Sequence, residues 1–285
     1  MQVTAKISGT IDAHHHLWKY STVEYGWIDE SMAELRRDFL AENLKRELAA
    51  ASVDGTVVVQ ARQSDEETRW LLSLARETQP ILGVVGWAEI AADDFAKRIE
   101  QLVQEPWLVG LRHVVQAEPD GFLDGEAFNR GIRALQDSEL VYDILIYERQ
   151  LEEATSFVDR HPKQAFVLDH IAKPKIAAGE LEPWRGRIIE LARRPNVCCK
   201  VSGMVTEANP KRWTAAELRP YLDTVVEAFG PKRLMVGTDW PVCLIGTSYK
   251  GWWSLLREYF ADFSADERAS IFGACAMKTY GLKMD

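Results

Sequence analysis

The chain has 285 residues, of which 47% are hydrophobic, so it is long enough to bury one large core or two smaller ones. Its 34 basic and 43 acidic residues give a net charge of −9 without a basic stripe, so we expect no nucleic-acid partner. No stretch approaches about 18 consecutive apolar residues, and residues 1–6 lack the apolar core of a signal peptide, so we predict a cytoplasmic protein with no membrane partner.

The first predicted strand, residues 10–18, carries three consecutive histidines. Side chains two positions apart in a strand share a face, which would place Asp12, His14 and His16 together and His15 on the opposite face. Two imidazoles backed by a carboxylate can bind a divalent metal or polarise a carbonyl group. The alternative interpretation is a chance cluster of core or surface histidines.

Seven more short apolar runs follow the first strand. They are nearly continuous rather than alternating, which is typical of parallel strands covered on both faces. They occupy residues 55–60, 81–87, 108–113, 140–146, 165–170, 197–202 and 234–239.

Helical patterns precede the second, third, fourth, sixth, seventh and eighth predicted strands. Leu40, Leu44 and Leu48 recur every four residues before the second strand, and Ser64 with Glu67 matches a capping box ahead of the next helix. Eight strands that alternate with helices predict an α/β fold, a single (β/α)8 TIM barrel domain over residues 1–285. The alternative, an open doubly wound sheet, normally has a glycine-rich phosphate loop after its first strand, and none is present here.

The longest interruption of these patterns is the segment of residues 20–38, after the first strand. It carries Tyr25, Trp27 and Ile28. Two interpretations are open: a lid over the barrel mouth, or a packed surface loop.

Polar residues follow the carboxyl ends of the strands, where the reactive groups of β/α barrels lie. Each has an ordinary explanation when it is taken singly: Arg112 as a surface cation, His170 as a helix cap, and Asp239 as the N-cap of the next turn. Together, the histidine pair of strand one, His170 of strand six and Asp239 of strand eight are expected to converge on one mouth. The full set is His14, His16, Gln60, Trp87, Arg112, His113, Tyr147, Asp169, His170, Ser202 and Asp239.

Five segments resemble the sugar-lactonase branch of the amidohydrolase superfamily, and the similarity extends over nearly the whole chain. They are residues 11–18 (IDAHHHLW), 110–116 (GLRHVVQ), 169–174 (DHIAKP), 202–207 (SGMVTE) and 237–243 (GTDWPVC). The resemblance implies a hydrolase that opens a small-molecule sugar lactone, such as L-fuconolactone or L-rhamnonolactone. It leaves the sugar, the ring size and the oligomeric state open.

The resemblance also implies roles for individual residues. Asp239 would be the general base toward the attacking water, with His170 and Arg112 as the other catalytic residues. His14, His16, His170 and Asp239 would hold at most one divalent ion, preferably zinc, because the metal-bridging Lys or Glu of strand four and the His of strand five that the superfamily often uses are missing. Activity without a metal is the alternative. We assign substrate binding to Trp18, Trp27, Gln60, Trp87, His113 and Lys173.

Three other functions remain open at this point. A lactone isomerase would share the fold and the substrate class. A metal-dependent decarboxylase on the same barrel would be expected to carry the strand-five histidine that is missing here. A non-catalytic sugar-acid binding barrel would not need the histidines and Asp239 together.

Overall fold

Eight parallel strands form one sheet in the computed structural model, which describes residues 9–284. Each neighbouring pair in chain order is hydrogen-bonded, and all eight predicted strands are confirmed. The strands are β1 (Ile11–His15), β2 (Gly55–Val59), β3 (Ile81–Gly86), β4 (Leu108–His113), β5 (Val141–Ile144), β6 (Phe166–Leu168), β7 (Val197–Val201) and β8 (Leu234–Val236).

The sheet closes on itself between β1 and the residues that follow β8. The Asp239 N–H donates to the His14 carbonyl at 2.8 Å, and the His16 N–H donates to the Trp240 carbonyl at 2.6 Å. A side chain at Gly237 would lie 2.6 Å from His14 Cβ, so only glycine permits this close approach of the two strands. The fold is therefore a closed (β/α)8 barrel, and the doubly wound alternative is wrong.

Helices cover the outside of the barrel. The predicted helical patterns correspond to the helices before β2, β3, β4, β6, β7 and β8. The helix before β5 and the helices after β8 were not predicted from the sequence. The helices are α1 (Ala41–Ala51), α2 (Asp65–Glu77), α3 (Phe95–Leu102), α4 (Glu126–Leu135), α5 (Leu151–Arg160), α6 (Trp184–Ala192), α7 (Met204–Glu207), α8 (Ala215–Phe229), α9 (Tyr249–Tyr259), α10 (Ala265–Ala269) and α11 (Cys275–Thr279). No helix within residues 9–284 has the length and apolarity to cross a membrane. Residues 1–6, on which the localisation prediction partly rests, lie outside the described residues.

The capping box predicted at the start of α2 is only half formed. Ser64 Oγ accepts from the N–H groups of Glu66 and Glu67, at 3.1 and 3.2 Å. The buried Glu67 carboxylate does not return to Ser64; it accepts from the backbone N–H groups of Ala61 and Arg62 at 2.9 Å each. Glu67 therefore fixes the loop after β2 rather than the helix cap.

The segment of residues 20–38 packs as a surface loop around an aromatic cluster. The Trp18 ring contacts the rings of Tyr25 and Phe39, and the Tyr25 hydroxyl donates to the Glu67 carboxylate at 3.1 Å. At its tip, Val23 and Trp27 are 89% and 42% exposed. These contacts favour the packed-loop interpretation over the lid.

Candidate active site

The carboxyl ends of β1, β6 and β8 bring three histidines and one aspartate together. One ligand atom from each of His14, His170 and Asp239 lies within 4.8 Å of the others. His16 completes the group, because its Nε2 lies 3.2 Å from His14 Nε2 and 3.3 Å from Asp239 Oδ1. We call these four residues the His–Asp cluster.

A β-bulge in β1 turns His14 toward the barrel interior. Asp12 pairs with Thr56 and His15 pairs with Val58, so three residue steps on β1 match two on β2. The bulge breaks the two-residue alternation, and the prediction that Asp12 shares a face with His14 and His16 is wrong. Asp12 instead contacts Tyr249 of α9, outside the barrel.

The buried Asp12 carboxylate ties β1 to β8. It accepts from the Thr238 N–H at 2.9 Å, the Thr238 hydroxyl at 2.6 Å and the Tyr249 hydroxyl at 2.9 Å, and also from the His14 N–H at 3.1 Å. Burial raises the pKa of Asp12 to about 6, although these hydrogen bonds lower it. Because Asp239 follows Thr238, this one carboxylate fixes the backbone on both sides of the cluster.

We expect Asp12→Ala to lower the free energy of unfolding by about 2–4 kcal/mol, since it leaves several buried donors without an acceptor. Urea unfolding at pH 7 measures the change. Tyr249→Phe, the matched control, removes only one of the four hydrogen bonds and should cost about 0.5–1.5 kcal/mol. Equal stabilities of Asp12→Ala and wild type would show that the carboxylate does not hold the two strands.

Each histidine of the cluster has an outer partner for its Nδ1 atom. His16 Nδ1 lies 2.7 Å from the Val59 carbonyl, which can only accept, so this nitrogen carries a proton and Nε2 faces the cluster. His170 Nδ1 lies 2.8 Å from Ser202 Oγ, and His14 Nδ1 lies 3.2 Å from Lys200 Nζ and 3.3 Å from an Asp169 oxygen. Burial lowers the pKa of His14 well below its usual value and that of His170 to about 4, so both rings are neutral at pH 7. Acceptors such as those beside His16 and His170 are typical outer partners of metal-binding histidines.

The spacing of the donor atoms fits one divalent ion. In a tetrahedral zinc site with bonds of about 2.0–2.1 Å, neighbouring ligand atoms lie about 3.3 Å apart. The His14–His16 and His16–Asp239 separations are 3.2 and 3.3 Å, and the Asp239 oxygen lies 3.8 Å from His14 Nε2 and 3.9 Å from His170 Nε2. Three imidazoles and a carboxylate are also ligands that zinc prefers.

A buried ion network lies beneath the cluster, and of its charged members only Asp169 was predicted from the sequence. Lys200 Nζ lies 2.5 Å from Asp143, 3.0 Å from Asp169 and 3.2 Å from His14 Nδ1. Tyr280 donates to Asp143 at 2.9 Å. Burial raises the pKa of Asp143 to about 6, whereas for Asp169 the nearby Lys200 and His14 outweigh burial and hold the pKa well below its usual value. The sequence carries one signal of this network: Asp143 interrupts the apolar run of β5, and Lys200 interrupts the apolar run of β7.

Arg112 lies between the ion network and the cluster. Its Nη1 donates to Asp169 at 2.9 Å and lies 3.4 Å from His14 Nε2, and its Nη2 donates to the Gln60 carbonyl. Gln60 is fully buried and its Nε2 donates to the Arg112 carbonyl at 3.3 Å, while its Oε1 has no partner among the described residues. Both residues therefore lie at the site, with their side chains fixed by each other and by Asp169.

Two residues predicted to bind substrate are packed elsewhere. Trp18 is fully buried, its Nε1 donates to the Arg37 carbonyl at 2.9 Å, and it offers no free ring face to a sugar. His113 points away from Arg112; its ring stacks on Phe122 at 4.8 Å and its Nε2 lies 2.8 Å from Glu118. These contacts argue against substrate binding by Trp18 and His113, because strand alternation and loop packing turn both rings into the surrounding core.

The remaining aromatic candidates stay accessible. The half-exposed Trp27 meets Trp18 edge-on at 5.8 Å. Trp87 follows β3 and is partly buried, and its buried Nε1 has no hydrogen-bond partner among the described residues.

A left-handed turn presents His170 and Lys173. Residues 170–173 all have positive φ, with values of 52°, 49°, 60° and 47°, a conformation that costs roughly 1–2 kcal/mol per residue. The Lys173 N–H donates to the His170 carbonyl at 2.8 Å, and Trp184 Nε1 donates to the Ile171 carbonyl at 2.8 Å. Such strain persists where the surroundings enforce it, commonly at functional sites.

A family model described as amidohydrolase matches residues 11–282 of the chain. The chain belongs to the amidohydrolase family. It is 40% identical over 284 residues to an L-fucono-1,5-lactonase of Burkholderia multivorans (95% of this chain, 96% of the relative) and 35% identical over 277 residues to an L-fucono-1,5-lactonase of Burkholderia ambifaria (95% of each). A solved amidohydrolase structure from Burkholderia multivorans with bound zinc superposes with a TM-score of 0.92 at 40% identity, covering 97% of this chain and 100% of the other.

Proposed function

We propose that this amidohydrolase hydrolyses a sugar-acid lactone, with L-fucono-1,5-lactone as the first candidate. The observation that carries the proposal is the His–Asp cluster, in which an ionised carboxylate faces the neutral rings of His14 and His170 at the mouth of the barrel. The proposal is also supported by the sequence of the chain, which is 40% and 35% identical to the two Burkholderia lactonases.

Asp239 is the proposed general base. Burial by itself would raise the pKa of its carboxyl group, but His170 and His16 outweigh burial and lower it, so the group is ionised at neutral pH. It would take a proton from the attacking water and later return a proton to the alkoxide that leaves the ring. His170, held by Ser202, would orient the reacting groups beside Asp239.

His14, His16, His170 and Asp239 would hold a single divalent ion, for which zinc is our candidate. When it is bound, such an ion supplies Lewis-acid polarisation of a carbonyl group and lowers the pKa of a bound water. Arg112 would stabilise the negative charge that develops on the carbonyl oxygen, a role typically served by preorganised donors. Lys173, Gln60, Trp27 and Trp87 are the proposed contacts of the sugar.

The test is a pH-indicator screen of aldono-1,4- and 1,5-lactones, with metal content measured on the same preparation. We expect ring opening of L-fucono-1,5-lactone with release of one proton per turnover, and no more than one metal equivalent per chain. Product analysis separates ring opening from ring migration by an isomerase. Failure to open any lactone would overturn the proposed function, and two metal equivalents that survive dialysis would overturn the single-ion site.

We also propose that the protein is cytoplasmic and that residues 1–285 form a single domain.

A further inference from the structure

The ammonium group of Lys173 faces a carboxylate at the rim of the site. Lys173 Nζ lies 3.9 Å from Glu207 Oε1 and 5.6 Å from the centre of the Tyr147 ring. The Lys173 side chain is 16% exposed and the Glu207 side chain is 22% exposed, so both are partly buried but still reachable from the mouth. Glu207 is the last residue of α7, which begins immediately after the Ser202–Gly203 step that contacts His170.

The other cations beside the His–Asp cluster are already paired. Arg112 donates to Asp169 at 2.9 Å, and Lys200 contacts Asp143 at 2.5 Å. Among the described residues that line the cluster, Lys173 is therefore the cation best placed to attract a negatively charged substrate group. The Glu207 carboxylate lies 3.9 Å from this ammonium group, close enough to offset its charge.

We propose that Glu207 is a specificity-determining residue that makes the site select uncharged sugar lactones over lactones that carry a carboxylate. This inference rests on the proposed lactonase function. A sugar hydroxyl can accept from the Lys173 ammonium group and donate to the Glu207 carboxylate, so the pair suits a neutral polyol. A substrate carboxylate that approaches Lys173 meets the like charge of Glu207, and such repulsion is a common means of excluding a wrong ligand.

The experiment compares kcat/KM for L-fucono-1,5-lactone and for D-glucaro-1,4-lactone, a sugar lactone with a free carboxylate. We expect the wild-type protein to prefer the uncharged lactone by at least about a hundredfold, and Glu207→Gln to shift the ratio at least about tenfold toward the carboxylate-bearing lactone. The double variant Glu207→Gln, Lys173→Gln should lose this shift, because no cation then remains to bind the carboxylate. Glu180→Gln is the matched control: Glu180 pairs with Lys175 at 3.6 Å where both side chains are more than half exposed, and its ratio should stay at the wild-type value.

Each outcome decides the inference. A wild-type protein that hydrolyses both lactones equally well would overturn it without any variant, as would a folded Glu207→Gln protein with the wild-type ratio. A shift that persists in the double variant would also overturn it, because Lys173 would not be the group that Glu207 neutralises. If the wild-type protein opened neither these nor any other lactone, the proposed function itself would fail, and the inference with it.

Discussion

Asp239→Asn should reduce kcat for lactone hydrolysis by about 10²–10⁴-fold, the usual contribution of a general base, while the folded state stays nearly as stable as in the wild type. The amide keeps the shape of the side chain but cannot take a proton from water. Asp239 has a φ of 58°, and asparagine tolerates this left-handed conformation as readily as aspartate, so the substitution adds no backbone strain. Steady-state kinetics and urea unfolding of the same preparation test both parts of this expectation.

The structure also argues against a helix-capping role for Asp239. The short helix that follows, Val242–Ile245, has Pro241 at its N-cap, and the Asp239 side chain points to the His–Asp cluster instead. Asp38→Asn is a suitable control, because Asp38 is an exposed aspartate that accepts from the Tyr20 N–H at 2.8 Å in the loop after β1. It should retain nearly full activity. A well-folded Asp239→Asn protein that hydrolyses lactones at the wild-type rate would remove Asp239 from the mechanism.

The barrel and the main cluster could be predicted because they depend on local patterns. Near-continuous apolar runs locate the eight strands, and the rule that reactive groups follow the strands places His14, His16, His170 and Asp239 at one end. The rule works because parallel strands all end on the same side of the barrel. No long-range pairing information is needed for that inference.

The parts that were missed depend on register and packing. The bulge that separates Asp12 from His14 depends on how β1 pairs with β2, which the alternation of β1 alone does not reveal. Trp18 and His113 resemble site residues in sequence, but whether a ring faces the mouth or the surrounding core depends on contacts with distant elements. The left-handed turn at residues 170–173 contains no glycine, so the usual sequence signal for positive φ was absent.

The ion network was missed because its partners come from strands that are far apart in the sequence. Asp143 lies on β5 and Lys200 on β7, and the two contact because alternate strands of the barrel contribute side chains to one interior layer. All three charged groups of the network, Asp143, Asp169 and Lys200, are fully buried. The stability of the folded protein therefore depends on the charge balance between the two carboxylates and the ammonium group.

Lys200→Met should lower the free energy of unfolding by about 3–5 kcal/mol at pH 7, because it keeps the volume of the side chain but leaves two buried carboxylates without their shared cation. Lys45→Met is the surface control: Lys45 pairs with Glu42 at 2.9 Å, its side chain is 43% exposed, and its loss should change stability by less than about 1 kcal/mol. Adding Asp143→Asn to Lys200→Met should recover part of the loss, since one uncompensated charge is removed while Tyr280 keeps a carbonyl acceptor.

The pH dependence of that loss identifies its cause. The pKa of Asp143 already lies near 6 in the folded protein, above the value of about 3.9 expected in the unfolded chain, and removal of Lys200 raises it further. As the pH falls from 7 to 5, the folded variant takes up a proton that the unfolded chain does not, so its stability deficit relative to wild type should shrink. A deficit caused only by poorer packing of methionine would stay constant over this range. Urea unfolding at pH 5, 6 and 7 distinguishes the two causes, and a constant deficit would contradict the electrostatic role of Lys200.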